Sequence, residues 1–155
     1  EGARHLPLER GWAFTMREII CLGTPEDTAA FSRRGSQRAT ELAEELGLEA
    51  LIVEASDPFF APSARGKALL QRVKALKHEL LLPIGSRRIA AASFNHHERF
   101  FGDGFGIRTA DGAAASTACV AFGLERWLLA FLCAHGPESR SWPALSHHVL
   151  AEVSR

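Results

Sequence analysis

Cys119-Val120-Ala121-Phe122-Gly123-Leu124-Glu125-Arg126-Trp127 runs without a break into Leu128-Leu129-Ala130-Phe131-Leu132. A cysteine in a β-prone run, a glycine that lets a ligand approach the backbone, and an arginine on the first turn of an apolar helix make a small ligand-binding constellation. A buried strand followed by a core helix with a surface arginine would satisfy the same residues. Either way the junction predicts a strand over Ala113 to Phe122 and a helix over Leu124 to Ala134, ended by Gly136-Pro137.

Working back along the chain, Leu8 to Thr24 (LERGWAFTMREIICLGT) supplies the second informative stretch. Gly2 to Gly11 is polar, contains Pro7 and reads as a loop, whereas Ala13 to Gly23 is rich in β-formers and reads as a strand. Period-2 arithmetic puts Arg10, Trp12, Phe14, Met16 and Glu18 on one parity and Thr15, Arg17, Ile19 and Cys21 on the other. An arginine, an aromatic ring and a carboxylate are therefore expected to face one side. Thr24-Pro25-Glu26-Asp27 is a helix start, with Thr24 as N-cap, Pro25 first and Asp27 three residues after the cap; the helix should run to about Leu46 and stop at Gly47.

Between the two stretches, Leu48 to Ala55 reads as a strand closed by Ser56-Asp57-Pro58. Arg65 to His78 reads as a basic amphipathic helix, with Leu69, Leu70, Val73 and Leu76 apolar and Lys67, Arg72, Lys74 and Lys77 outside. Glu79 to Ile84 and Ile89 to Asn95 follow as strands, His96 to Gly106 as a glycine-rich turn, and Asp111-Gly112 as a hairpin signal. Ser146 to Val153 reads as a last short helix. This order is not a regular βαβ alternation, and it predicts an α/β (α+β) domain with a mainly antiparallel sheet flanked by helices.

Composition narrows the functional classes. With 155 residues and 46% hydrophobic content, the chain can bury one core. Eighteen basic residues balance eighteen acidic ones, so no overall field draws in a polyanion. Three cysteines without a CxxC pair argue against a disulfide framework and for a reducing compartment, with cytoplasm the expectation. The apolar run from Trp127 to Ala134 is far short of the roughly 20 residues of a membrane span, so no membrane partner is expected.

The two stretches together resemble motif 2 and motif 3 of class II aminoacyl-tRNA synthetase catalytic domains. Arg10, Phe14 and Glu18 match the spacing of the motif 2 arginine, the phenylalanine that stacks on adenine and the glutamate that follows; Gly123 and Arg126 match motif 3. The motif 3 pattern has glycines where this chain carries Cys119 and Ala121. A cysteine at the position of Cys119 is similar to the active-site zinc ligand of atypical, archaeal-type seryl-tRNA synthetases and of the amino acid:[carrier protein] ligases. Asp57-Pro58-Phe59-Phe60, Lys77-His78-Glu79-Leu80, Ser93-Phe94-Asn95 and the stretch around Cys119 look more like the ligases.

That resemblance implies ATP-dependent activation of a small amino acid such as glycine or alanine as an aminoacyl adenylate, followed by transfer to the phosphopantetheine thiol of an acyl or aminoacyl carrier protein, with no tRNA as acceptor. It implies ATP with Mg²⁺, bound by Arg10, Phe14, Glu18, Glu79 and Arg126, with Arg10 and Arg126 catalytic and Asn95 binding substrate. It implies Zn²⁺ on Glu1 and Cys119, with one further ligand upstream. Cys21 and Cys133 match no ligand and read as core; His96, His97, His147 and His148 read as surface residues. Since Glu1 falls inside motif 2, residues 1–155 are expected to be the C-terminal part of a catalytic domain, truncated at its N-terminus. Such a piece should be inactive alone and a homodimer when full length. The alternatives are an atypical seryl-tRNA synthetase catalytic domain and a non-catalytic synthetase-like fragment.

Overall fold

The computed structural model describes residues 8–55 and 76–144. Five strands, β1 (Met16–Gly23), β2 (Leu51–Glu54), β3 (Lys77–Ile84), β4 (Arg87–Glu98) and β5 (Ser116–Gly123), form one sheet of order β1-β5-β4-β3-β2. Every neighbouring pair is antiparallel, as the element order predicts. Among the described residues three helices accompany it: α1 (Pro25–Glu45), α2 (Phe100–Phe105) and α3 (Leu124–His135), with a 3-10 turn at Ser139–Ser141. Among the described residues no helix is long and apolar enough to cross a membrane.

Local chemistry sets the boundaries. Thr24 Oγ1 accepts from the Asp27 N–H at 3.2 Å while Asp27 Oδ2 accepts from the Thr24 N–H at 3.0 Å, so a reciprocal capping box starts α1 behind Pro25. Gly47, at φ +66°, follows the helix end in the left-handed conformation that glycine adopts without a Cβ penalty. Gly85, at φ +64°, makes the tight β3–β4 connection, where Ile84 pairs with Arg87. At Asp111-Gly112 the expected turn forms: Asp111 Oδ1 accepts from Thr109 Oγ1 and from the Ala113 N–H.

Alternate residues of each strand separate the two faces of the sheet. Val120 and Phe122 of β5, Ala92 and Phe94 of β4, and Leu80 and Leu82 of β3 face α1 and α3, where Ala39, Ala43, Trp127, Leu129 and Ala130 complete the core. Gly35 lets α1 press on β5, since a Cβ there would lie 2.5 Å from Val120 Cγ2. On the same side a buried polar cluster ties the start of α1 to the sheet: Thr28 Oγ1 lies 3.0 Å from His96 Nε2 and 2.9 Å from Ser116 Oγ.

Several expectations need correction. The strand expected from Ala13 begins at Met16, because residues 10–15 form an irregular segment. Lys77 and His78 belong to β3 and not to a helix, because they pair with Asn95 and Phe94. The remainder of the basic helix, the Pro58 turn and the last helix lie outside the described residues. The turn expected over His96 to Gly106 is instead the end of β4 followed by α2. That short helix is seated by Gly102, whose ideal Cβ would lie 2.1 Å from the Ala115 carbonyl oxygen. His96 and His97 are half-buried and not surface residues, and Cys133 is exposed and not core.

Candidate functional site

Among the described residues, two cavities lie on the face of the sheet turned away from α1 and α3. The larger, about 560 Å³, is lined by Arg10 and Phe14, by Lys77 and Glu79 of β3, and by Glu125 and Arg126 of α3, over a floor of small residues that includes Ala121 and Gly123. The smaller, about 430 Å³, is lined by Glu18, Ile20, His97, Phe101, Phe105 and Cys119 among others. Cross-strand register joins the two. One row runs Glu18–Ala121–Ser93–Glu79 and the next Ile20–Cys119–Asn95–Lys77, so the cavities are neighbours on one surface.

The first turn of α3 organises the larger cavity. The Leu124 N–H donates to the Thr15 carbonyl at 3.0 Å, and the Thr15 N–H donates to both carboxylate oxygens of Glu125 at 2.9 Å. That backbone donor holds the Glu125 carboxyl below the usual carboxylate range. Arg126 Nε donates to the Glu9 carbonyl at 3.2 Å and Nη1 to the Ala90 carbonyl at 2.8 Å. The guanidinium is thus fixed by two backbone acceptors before any ligand arrives. Glu9 is 8% exposed and receives a bidentate grip from Arg87. Glu79 pairs with Lys77 at 3.0 Å.

Cys119 is 8% exposed. Burial pushes its thiol up; Asn95, whose Nδ2 donates to Sγ at 3.3 Å, works against the rise, and nearby Glu18 adds to it. A nucleophilic cysteine needs the opposite shift, so this thiol is not tuned for attack. His97 Nε2 lies 3.9 Å from Sγ while Nδ1 is 3.2 Å from Thr117 Oγ1, and burial lowers the pKa of this imidazole. Asn95 Oδ1 is buried without a hydrogen-bond partner, an acceptor available to a ligand's N–H.

The expected residues therefore divide. Arg10, Phe14, Glu79 and Arg126 come together in the larger cavity. Glu18 lines the smaller one beside Cys119, and Asn95 contacts Cys119 through its amide. Glu1 lies outside the described residues. Among the described residues no three His, Cys, Asp or Glu side chains converge as a metal would require. Sequence reasoning missed Glu9, Arg87 and the clamp by Glu125. Contacts over 78 and 110 residues of separation leave no periodic signal.

No protein-family model matches the chain. It is 41% identical over 152 residues to amino acid–[acyl-carrier-protein] ligase 1 of Bradyrhizobium diazoefficiens, covering 97% of this chain and 46% of that protein. It is 42% identical over 145 residues to ligase 2 of the same organism, covering 92% and 43%. Type-2 serine–tRNA ligase of Methanopyrus kandleri is 31% identical over 155 residues, covering 92% of this chain and 29% of that one. The chain thus spans less than half the length of these curated relatives. Among solved structures, M. kandleri SerRS in complex with A. aeolicus tRNASec superposes with a TM-score of 0.77 at 28% identity, covering 94% of this chain and 29% of that one. By sequence and by fold, the chain belongs to the class II synthetase-like family that includes the amino acid–[acyl-carrier-protein] ligases and the type-2 serine–tRNA ligases.

Proposed function

We propose that the full-length protein activates a small amino acid, glycine or alanine, with ATP and passes it to the phosphopantetheine thiol of a carrier protein. The observation that carries this reading is the convergence of Arg10, Phe14, Glu79 and Arg126, from three separate segments, on one cavity. Two cations, an aromatic ring and a carboxylate are what a nucleoside triphosphate needs: charge on the phosphates, a surface for the base and a handle for its magnesium. In activation the substrate carboxylate attacks the α-phosphorus and the bond to pyrophosphate breaks. In transfer the carrier thiol loses its proton, attacks the acyl carbon, and AMP leaves. Arg126, already oriented, can meet developing phosphate charge without reorganising.

The second cavity fits the amino acid. The unpartnered Asn95 Oδ1 can accept from an amino group, and Cys119 beside it can hold a zinc ion whose open position would take that amino nitrogen. A raised thiol pKa means that the metal must displace a proton to bind. Glu18 lines the same cavity and is, among the described residues, the carboxylate placed to join Cys119; Glu1 and a ligand from upstream remain the other candidates. In this reading the protein is a cytoplasmic homodimer and uses no tRNA. The identity to the carrier-protein ligases, ten points above that to the serine–tRNA ligase (41% against 31%), supports the carrier as acceptor.

One experiment tests the assignment. Full-length protein should exchange labelled pyrophosphate into ATP only with its amino acid present, and should label a phosphopantetheinylated carrier protein. It should also contain about one zinc per chain, lost in Cys119→Ser. Label on tRNA instead would make it a serine–tRNA ligase, and no exchange at all would leave a non-catalytic relative. Zinc retained in Glu18→Ala but lost in Glu1→Ala would return the carboxylate role to Glu1.

A further inference from the structure

Residues 10–14, which carry Arg10 and Phe14 into the larger cavity, are an irregular segment with a fully exposed tip at Trp12. The segment is held at both ends. At Thr15 the first turn of α3 grips its N–H and carbonyl; at Glu9 the grip comes from two sides. Arg126 takes the Glu9 carbonyl, and Arg87 takes the Glu9 carboxylate with both terminal nitrogens. Leu8, just before this anchor, sits at φ +70°, a conformation that a leucine keeps only when its surroundings impose it.

We propose that Arg87, on the β3–β4 hairpin and outside the cavity lining, is a positioning residue: through buried Glu9 it sets both the Arg10 segment and the guanidinium of Arg126. The chain of contacts is short. Arg87 fixes the Glu9 side chain, Glu9 is covalently joined to Arg10, and its carbonyl is one of the two acceptors that orient Arg126. Without the guanidinium, the Glu9 carboxylate loses the two-pronged grip that fixes its position, and a buried charge that gives up a bidentate partner is drawn toward water. That movement carries away the backbone that Arg126 and Arg10 depend on. With a neutral side chain at position 9 the driving force disappears, and Arg87 should cease to matter.

This inference rests on the nucleotide reading of the larger cavity, and a double-mutant cycle on ATP affinity separates the two. Binding of Mg-ATP would be measured calorimetrically on full-length protein, on Arg87→Ala, on Glu9→Gln and on the double variant, with thermal unfolding as a check on folding. Arg87→Ala is expected to weaken ATP binding about tenfold, and to weaken it less than about twofold when Glu9 is already Gln. Equal losses in the two backgrounds would mean that Arg87 meets the nucleotide directly, and no loss in either would remove the clamp; both overturn the proposal while leaving the nucleotide site standing. Absence of ATP binding by the unaltered protein overturns both readings. Should Arg87→Ala not fold, Arg87→Lys replaces it in the cycle, since a lysine keeps the charge and gives up the two-pronged grip.

Discussion

On strand β5, Val120 and Cys119 are adjacent in sequence and opposite in surroundings. Val120 belongs to the apolar core under the helices, and its methyl stands where Gly35 leaves room. Cys119 faces the other way, toward an amide, an imidazole and a carboxylate. Both are buried, so burial alone does not distinguish them. The covered face is governed by volume, because close-packed side chains leave no slack. The open face is governed by where donors, acceptors and charges point. A substitution that disturbs one face should register in a different observable from a substitution on the other.

The largest effect belongs to the open face. Arg126→Ala removes a preoriented cation from the proposed phosphate site and should lower the rate of amino-acid-dependent pyrophosphate exchange by about 10²–10³-fold. Two hydrogen bonds to the Glu9 and Ala90 carbonyls go with it. The rest of α3 keeps its apolar seat, so the unfolding midpoint should fall little. Undiminished exchange in this variant would sink the motif 3 assignment. A collapse of stability would show that Arg126 is as structural as Val120 and would erase the contrast between the faces.

What could be read in the sequence follows the same division. The covered face was legible because its causes are local or periodic: Thr24, Pro25 and Asp27 announce α1, Gly47 ends it, and the β5–α3 junction shows in the change from strand to helix residues at Gly123. Arg10, Phe14, Glu79 and Arg126 were legible through the spacing of a family pattern, and the structure assembles them. Strand parity put Arg10, Phe14 and Glu18 on one side, and all three line cavities of one face although there is no strand between Arg10 and Thr15; parity could not tell that Glu18 borders the smaller cavity and the other two the larger. Helix α2 was hidden by the glycines in Phe100–Phe105, Gly102 being there to let the helix lie on the Ala115 carbonyl. His96 and His97 looked like surface residues because alternation on a strand says which way each points and not what it meets.

A smaller effect tests the covered face. Gly35→Ala would favour α1 by about 1 kcal/mol if helix propensity decided the outcome. The added carbon would lie 2.5 Å from Val120 Cγ2, and overpacking of a filled core costs about 1–3 kcal/mol. The variant should therefore be less stable by up to about 2 kcal/mol on balance, measured by urea unfolding. Exchange activity should be nearly unchanged. Gly35→Ala combined with Val120→Ala should recover part of the loss, because the second change empties the contested volume. A more stable Gly35→Ala variant would show that the interface gives way, and that volume is not what limits this face.

The smallest effect arises where the covered face admits a titratable group. His96 pairs with Thr28 Oγ1, which also meets Ser116. Burial lowers its pKa, with Glu98 acting in the opposite direction; neighbouring His97 is lowered by burial too, and by the charge of His96. Above about pH 6.5 both imidazoles are neutral folded and unfolded, and they carry no penalty. As the pH falls below that value the unfolded chain takes up protons that the folded chain resists, so stability declines toward the lowered folded-state values. The decline for one withheld proton cannot exceed about 1.4 kcal/mol per pH unit. Carboxylates held low by hydrogen bonds, Asp27 and Glu125 among them, lose their contribution only at more acid pH, which leaves a window for the histidines. Urea unfolding at a series of pH values from about 7.5 to 5 should show the decline. In His96→Gln, which cannot take the proton, the profile should be shallower. Parallel profiles for the two proteins would remove His96 as a source of the pH dependence, and the Thr28–His96–Ser116 cluster would then carry no titration in this window.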